Sequence, residues 1–193
     1  MNSALPKAVE LAHLLAGSRL LPGAFAVDAT CGNGRDTLFL ASAVGAEGSV
    51  YACDLQDQAV RRTRDALQQA GLRDRVLLEC RCHSTLLERL ASRRGTASAI
   101  LFNLGYLPGG DHRAITSPET VIPALDQTLA LLAPGGILAA VLYSGHPGGD
   151  IEAQAVLAWA RALPQTQWTA AHYAFVNQRN HPPSLLAIEP KAR

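Results

Sequence analysis

Two acids bracket a stretch of nearly bare backbone in "VDATCGNGRDT", residues 27 to 37, where Gly32, Asn33 and Gly34 lie between Asp28 and Asp36. Gly32 and Gly34 let the main chain approach a ligand closely and adopt positive φ, which side chains resist. A dinucleotide loop ends on a third glycine and holds pyrophosphate over a helix N-terminus. Here Thr37 takes the third position, and Asp36 sets a negative charge where two phosphates would lie. That arrangement repels a nicotinamide dinucleotide.

A second acid, Asp54, stands twenty residues beyond Gly34 at the end of the next apolar run, placed to take both hydroxyls of a ribose. The pattern asks for a nucleoside without phosphate that carries positive charge. S-adenosylmethionine fits it, because its sulfonium and α-amino group are cationic.

The elements that must position these residues alternate. "MNSALPKAVELAHLL" reads as an amphipathic helix, since Glu10 and His13 interrupt its apolar residues, and not as a secretory signal. Strands are expected at 23–30, 48–54, 75–80, 97–106 and 137–145. Helices are expected after the glycine loop and over 56–72, 84–93 and 150–163. Thr116 and Glu119 have the spacing of a capping box for a further helix, with Pro123 either kinking it or moving its start to about Thr120. Leu125, Leu129 and Leu132 form the apolar stripe of that helix. The last two strands, 167–176 and 184–190, are joined by "NQRNHPP" without a helix, so they pair as an antiparallel hairpin at one edge. Near-continuous apolar strands separated by helices predict an α/β domain with a seven-stranded, mainly parallel sheet covered on both faces.

The totals exclude some classes of function. The 193 residues fit one domain over 1–193, with 48% hydrophobic and 17% charged residues and no apolar run long enough to cross a bilayer. The expected compartment is the cytoplasm, where Cys31, Cys53, Cys80 and Cys82 stay reduced. Cys80-Arg81-Cys82-His83 lacks both the usual spacing and a second pair for structural zinc, so no metal is expected. Net charge is only +1, but 15 of the 17 basic residues are arginine, clustered at 61–64 and 93–94. The arginine fork suits phosphate, although a solvated helix face is the stronger explanation for each cluster taken singly.

Five ordered motifs carry a resemblance that spans essentially the whole chain: the D-x-T-x-G-N-G-x-D-T loop, "CHS" at 82–84, "FNLGYLPGGDH" at 102–112, "YSGHPGG" at 143–149 and "FVNQRNHPPSLLAIE" at 175–189. Together they resemble the family first called rRNA methylases, whose members are tRNA 5-aminomethyl-2-thiouridine methyltransferases. The resemblance implies a Rossmann-like class I methyltransferase. It also implies methyl transfer from S-adenosylmethionine to the exocyclic amine of the tRNA wobble base, with the anticodon stem-loop as partner. Spacing alone stops at a methyltransferase of unknown substrate. An enzyme acting on rRNA or a small amine, a cofactor-free nucleic-acid-binding module and a nicotinamide oxidoreductase are the rivals. The sequence leaves open whether the chain forms a homodimer.

For the site, Asp28, Thr30, Gly32, Asn33, Gly34, Asp36 and Thr37 are expected around the methionine part, Asp54 with Gln56 at the ribose, and His83 and Ser84 beside the adenine. Asn103 is expected to align the amine, Tyr106 to pack on the uracil and His146 to accept a proton. Asn177, Arg179, Asn180 and His181 are expected to meet the anticodon loop, whose splayed bases offer polar edges and stacking faces.

Overall fold

The protein is described by a computed structural model covering residues 5–105 and 116–191. Among these residues, β1 (Phe25–Asp28), β2 (Ser49–Asp54), β3 (Val76–Cys80), β4 (Ala97–Leu104), β5 (Leu132–Leu142), β6 (Trp168–Tyr173) and β7 (Ser184–Pro190) form one sheet in the order β3-β2-β1-β4-β5-β7-β6. The first five are mutually parallel, and β7 inserts antiparallel between β5 and β6. The expected α/β architecture with its C-terminal hairpin is therefore present. The order turns back on itself between β1 and β4. Beyond the carboxyl ends of these two strands is where an open α/β sheet binds its ligand.

Among the described residues, each face of the sheet carries three α-helices. α1 (Ala8–Gly17), α2 (Arg35–Ala43) and α3 (Asp57–Gln69) cover one face, and α4 (Leu86–Arg89), α5 (Pro118–Leu129) and α6 (Gly149–Ala162) cover the other. α1 meets the sheet through Ala8, Ala12 and Ala16, a four-residue repeat of small side chains that lets its axis come close to β5 and β7. In β1, Ala26 faces the α1–α3 side while Phe25 and Val27 face the α4–α6 side, the period-two alternation of a strand buried on both sides.

Four sequence expectations are corrected. The helix expected over 84–93 is three short pieces: a 3-10 turn at His83–Thr85, the single turn α4, and a 3-10 turn at Ala91–Arg93. The Gln127 side chain holds the first two, accepting from the Leu87 N–H at 2.8 Å and donating to the Ser84 carbonyl at 2.6 Å. α5 begins at Pro118, whose missing N–H costs nothing in the first turn, and it continues through Pro123. Leu132 belongs to β5, and the buried face of α5 is Val121, Ala124, Leu125 and Thr128.

Thr116 does not cap α5. Its hydroxyl donates to Glu152 Oε2 on α6 at 2.8 Å, and its N–H donates to the Gly105 carbonyl at 3.1 Å. The chain leaving β4 and the chain entering α5 are thus fastened to each other.

Candidate active site

A cavity of about 470 Å³ opens at the carboxyl ends of β1, β2 and β4. The glycine loop supplies Thr30, Gly32 and Asn33 to its wall, β2 supplies Asp54 with Leu55 and Gln56 beyond it, and α2 supplies Asp36. His83, Asn103, Thr116 and Tyr143 close the far side. The volume lies within the usual range for small-molecule sites.

The loop is held open by its neighbours. Gly34 has φ 82° and ψ 5°, a left-handed turn that feeds directly into α2. Asp54 grips the loop from the side: its Oδ2 accepts from the Gly32 N–H and its Oδ1 from the Gln56 N–H, both at 3.0 Å. Burial raises the Asp54 carboxyl from its ordinary value, and these backbone donors oppose the rise. Thr63 of α3 donates to the Gly32 carbonyl at 3.2 Å, and Arg62 donates to Asn33 Oδ1 at 3.1 Å.

Asp28, Gly34 and Thr37 lie behind this wall and not on it. Asp28 is fully buried, with Oδ2 accepting from the Thr37 hydroxyl at 2.5 Å and Oδ1 from the Thr30 N–H at 3.2 Å. Burial, reinforced by the neighbouring charge of Asp36, pushes its carboxyl well above the usual range. Asp28 therefore anchors the loop from beneath, and the acids that face the cavity are Asp36 and Asp54.

Asp36 joins three elements. Its Oδ1 pairs with His13 Nε2 of α1 at 2.7 Å, and its Oδ2 accepts from the Asn103 side-chain amide at the end of β4. The His13 ring stacks on Phe39 of α2, with centroids 4.1 Å apart and planes 5° from parallel. The Asn103 N–H donates to Thr30 Oγ1 at 2.6 Å, which ties β4 to the loop.

His83 is buried against the edge of Phe102, and its Nε2 has no hydrogen-bond partner. Burial lowers its pKa to about 4, so the ring is neutral near pH 7 and presents one polar atom without charge. Ser84 lies off the cavity wall, where its hydroxyl donates to Cys82 Sγ at 3.0 Å.

His146 also lies off the wall. Its ring packs over Gly149 and Gly105 so closely that a Cβ on Gly149 would come 2.7 Å from Nε2. Tyr106 falls outside the described residues. Asn177, Arg179, Asn180 and His181 are exposed on the β6–β7 connection, apart from the cavity lining. His181 holds φ 45°, and its carbonyl lies beside Gly145 in the loop after β5.

Several cavity or network residues escape sequence reasoning, His13, Tyr143, Arg35 and Thr116 among them. His13 read only as a polar break in an amphipathic helix; its signal was a ring placed one turn from the cavity-lining Val9. Tyr143 stands in a motif whose spacing points to no role for it, and Arg35 occupies the variable position of the glycine loop. Thr116 read as a cap.

A family model described as "Putative rRNA methylase" matches residues 50–189. The chloroplastic tRNA (mnm(5)s(2)U34)-methyltransferase of Arabidopsis thaliana is 38% identical over 180 residues, covering 89% of this chain and 65% of that protein, so the chain spans just under two thirds of the relative's length. A crystal structure named as a "putative rRNA-methylase" from Clostridium thermocellum superposes with TM-score 0.94 at 38% identity, over 98% of this chain and all of that one. A Streptococcus mutans "putative methyltransferase" in complex with SAH superposes with TM-score 0.87 at 37% identity, over 97% and 99% of the two chains. The O-methyltransferase TomG of Streptomyces achromogenes, at 17% identity and TM-score 0.67, shares the fold.

Proposed function

This chain belongs to the family described as rRNA methylases, and we propose that it methylates the exocyclic amine of 5-aminomethyl-2-thiouridine at the tRNA wobble position, giving the 5-methylaminomethyl product. The observation that carries the reading is the cavity lined by the carboxylates of Asp36 and Asp54 and by the neutral His83, with Arg35 as the single Lys or Arg on its wall among the described residues. The residues present fit S-adenosylmethionine: Asp54 for ribose hydroxyls, Asp36 for positive charge, and the unpartnered His83 Nε2 for one hydrogen bond to the base. When bound, S-adenosylmethionine supplies an electrophilic methyl group on a cationic sulfur.

The protein's own task is then positioning. A neutral amine must be held about 3 Å from the methyl carbon and in line with the departing sulfur. Asn103, on the cavity wall, is the group we assign to align its N–H bonds, and Tyr143 offers a ring to pack against the pyrimidine. The 177–181 connection, with Arg179 exposed, is assigned to the anticodon loop. Among the described residues no helix is long and apolar enough to cross a membrane. The relative's name places that protein in the chloroplast, so family membership does not itself fix a compartment.

The test is methylation in vitro of tRNA bearing 5-aminomethyl-2-thiouridine, with nucleosides read by mass spectrometry. The expected result is conversion of that nucleoside to its methylated form. Methylation of rRNA or a free amine in its place would overturn the substrate assignment.

A further inference from the structure

Asn103 has two ends that look alike in shape and opposite in chemistry: an NH2 group that donates and a carbonyl that accepts. Rotating the amide by half a turn exchanges them, and the torsion that does so has a broad, roughly two-fold profile. A nitrogen nucleophile on the cavity side needs the accepting end. Its N–H bonds must be taken up by an oxygen while its lone pair stays free to attack. The NH2 end would set donors against donors, or would occupy the lone pair itself.

Asp36 settles the choice. The Asn103 side-chain NH2 donates to Asp36 Oδ2, an oxygen that accepts, and this leaves Oδ1 as the other polar end of a residue on the cavity wall. Asp36 is itself 7% exposed and is held on its other oxygen by the His13 Nε2–H at 2.7 Å. The His13 ring is fixed in turn by its parallel stack on Phe39. We propose that His13 is a positioning residue for methyl transfer: through Asp36 it locks the Asn103 amide with its carbonyl oxygen toward the substrate nitrogen. The inference rests on the amine-methyltransferase reading above.

Two variants separate this role from simple packing. His13→Phe keeps a flat ring for Phe39 but removes the donor to Asp36, whereas His13→Gln keeps a donor and removes the ring. Single-turnover rates on tRNA bearing 5-aminomethyl-2-thiouridine, at saturating S-adenosylmethionine, are expected to fall by roughly ten-fold or more in His13→Phe. His13→Gln is expected to hold within about three-fold of wild type, and the KM for tRNA and the cofactor Kd within about two-fold in both variants. A wild-type rate in His13→Phe, an equal loss in the two variants, or a loss confined to cofactor affinity would overturn the proposal.

A readout independent of turnover is the side-chain NH2 signal of Asn103 in 15N-labelled protein, assigned by its disappearance in Asn103→Ala. It is expected to be shifted and protected from exchange in wild type and His13→Gln, and to lose both properties in His13→Phe. If it is unchanged in His13→Phe, the lock does not exist. A wild-type protein that leaves this tRNA unmethylated would refute the substrate assignment, and the NH2 signal would still decide whether His13 orients Asn103.

Discussion

Gly34→Ala tests whether the glycine loop is shaped by its own backbone or by its neighbours. Two costs are separable. Residue 34 has φ 82°, a left-handed conformation that costs a residue with a Cβ about 1–2 kcal/mol. The added methyl would also come 3.1 Å from both Cα and Oγ1 of Thr63, a fully buried residue of α3 whose hydroxyl holds the Gly32 carbonyl. Crowding of that kind costs a further ~1–3 kcal/mol, because neither the helix backbone nor a buried side chain yields freely.

The control is Gly71→Ala. Its φ of 67° carries a comparable conformational cost, and nothing lies within 4 Å of the added methyl. Denaturant unfolding is expected to show Gly71→Ala down by about 1–2 kcal/mol and Gly34→Ala by about 2–5 kcal/mol. At roughly 2–4 °C per kcal/mol for a chain of this size, the melting temperatures should differ by several degrees. Gly34→Ala should also weaken S-adenosylmethionine by calorimetry, since relief of the clash displaces the Gly32 peptide that Asp54 grips. Equal destabilisation by the two substitutions, with cofactor affinity intact, would refute the reasoning.

His83→Phe should alter the acid limb of stability. The folded pKa of about 4 lies below the ordinary 6.5, so this group's contribution is present at neutral pH and is lost as pH falls from 6.5 toward 4, by about 3 kcal/mol. Subtracting the variant's pH–stability curve from that of wild type should expose this limb. Asp28→Asn should reveal the opposite sign: a folded carboxyl raised by burial and by Asp36 makes wild type lose stability as pH rises above 3.8 and on through the folded value, and the amide removes that loss. Asp54→Ala strands the Gly32 and Gln56 N–H groups and should lower cofactor affinity by ten-fold or more, about 1.4 kcal/mol, by calorimetry. Arg179→Ala should reduce the slope of log affinity for tRNA against log salt by ~1 if its guanidinium meets phosphate.

The parts legible in the sequence were those coded by local spacing. The glycine loop, Asp54 at the end of β2, the alternation of elements and the helix-free join before β7 each need only a short window of residues. What was hidden depends on where distant elements meet. His13 is twenty-three positions from Asp36 and reaches it only because α1 packs beside α2. Thr116 has a capping residue's spacing, yet Glu152 on α6 takes its hydroxyl. Asp28 reads as a ligand acid because it precedes the loop, whereas its burial beneath Thr30 and Thr37 follows from the depth at which β1 ends. His146 stands in a motif rich in glycine, and the tight approach of α6 at Gly149 is what turns its ring from the cavity.

The fastening of Gly105 to Thr116 has a bearing on how relatives of this protein can diverge. Ten residues separate the two in sequence, and their bond brings Gly105 and Thr116 together at one point on the molecule. Lengthening such a closed excursion two-fold adds only about 0.6 kcal/mol of chain entropy. Evolution or a protein engineer can therefore change the number of residues between those two cavity-lining ends at small cost, while the sheet and the acids Asp36 and Asp54 stay as they are.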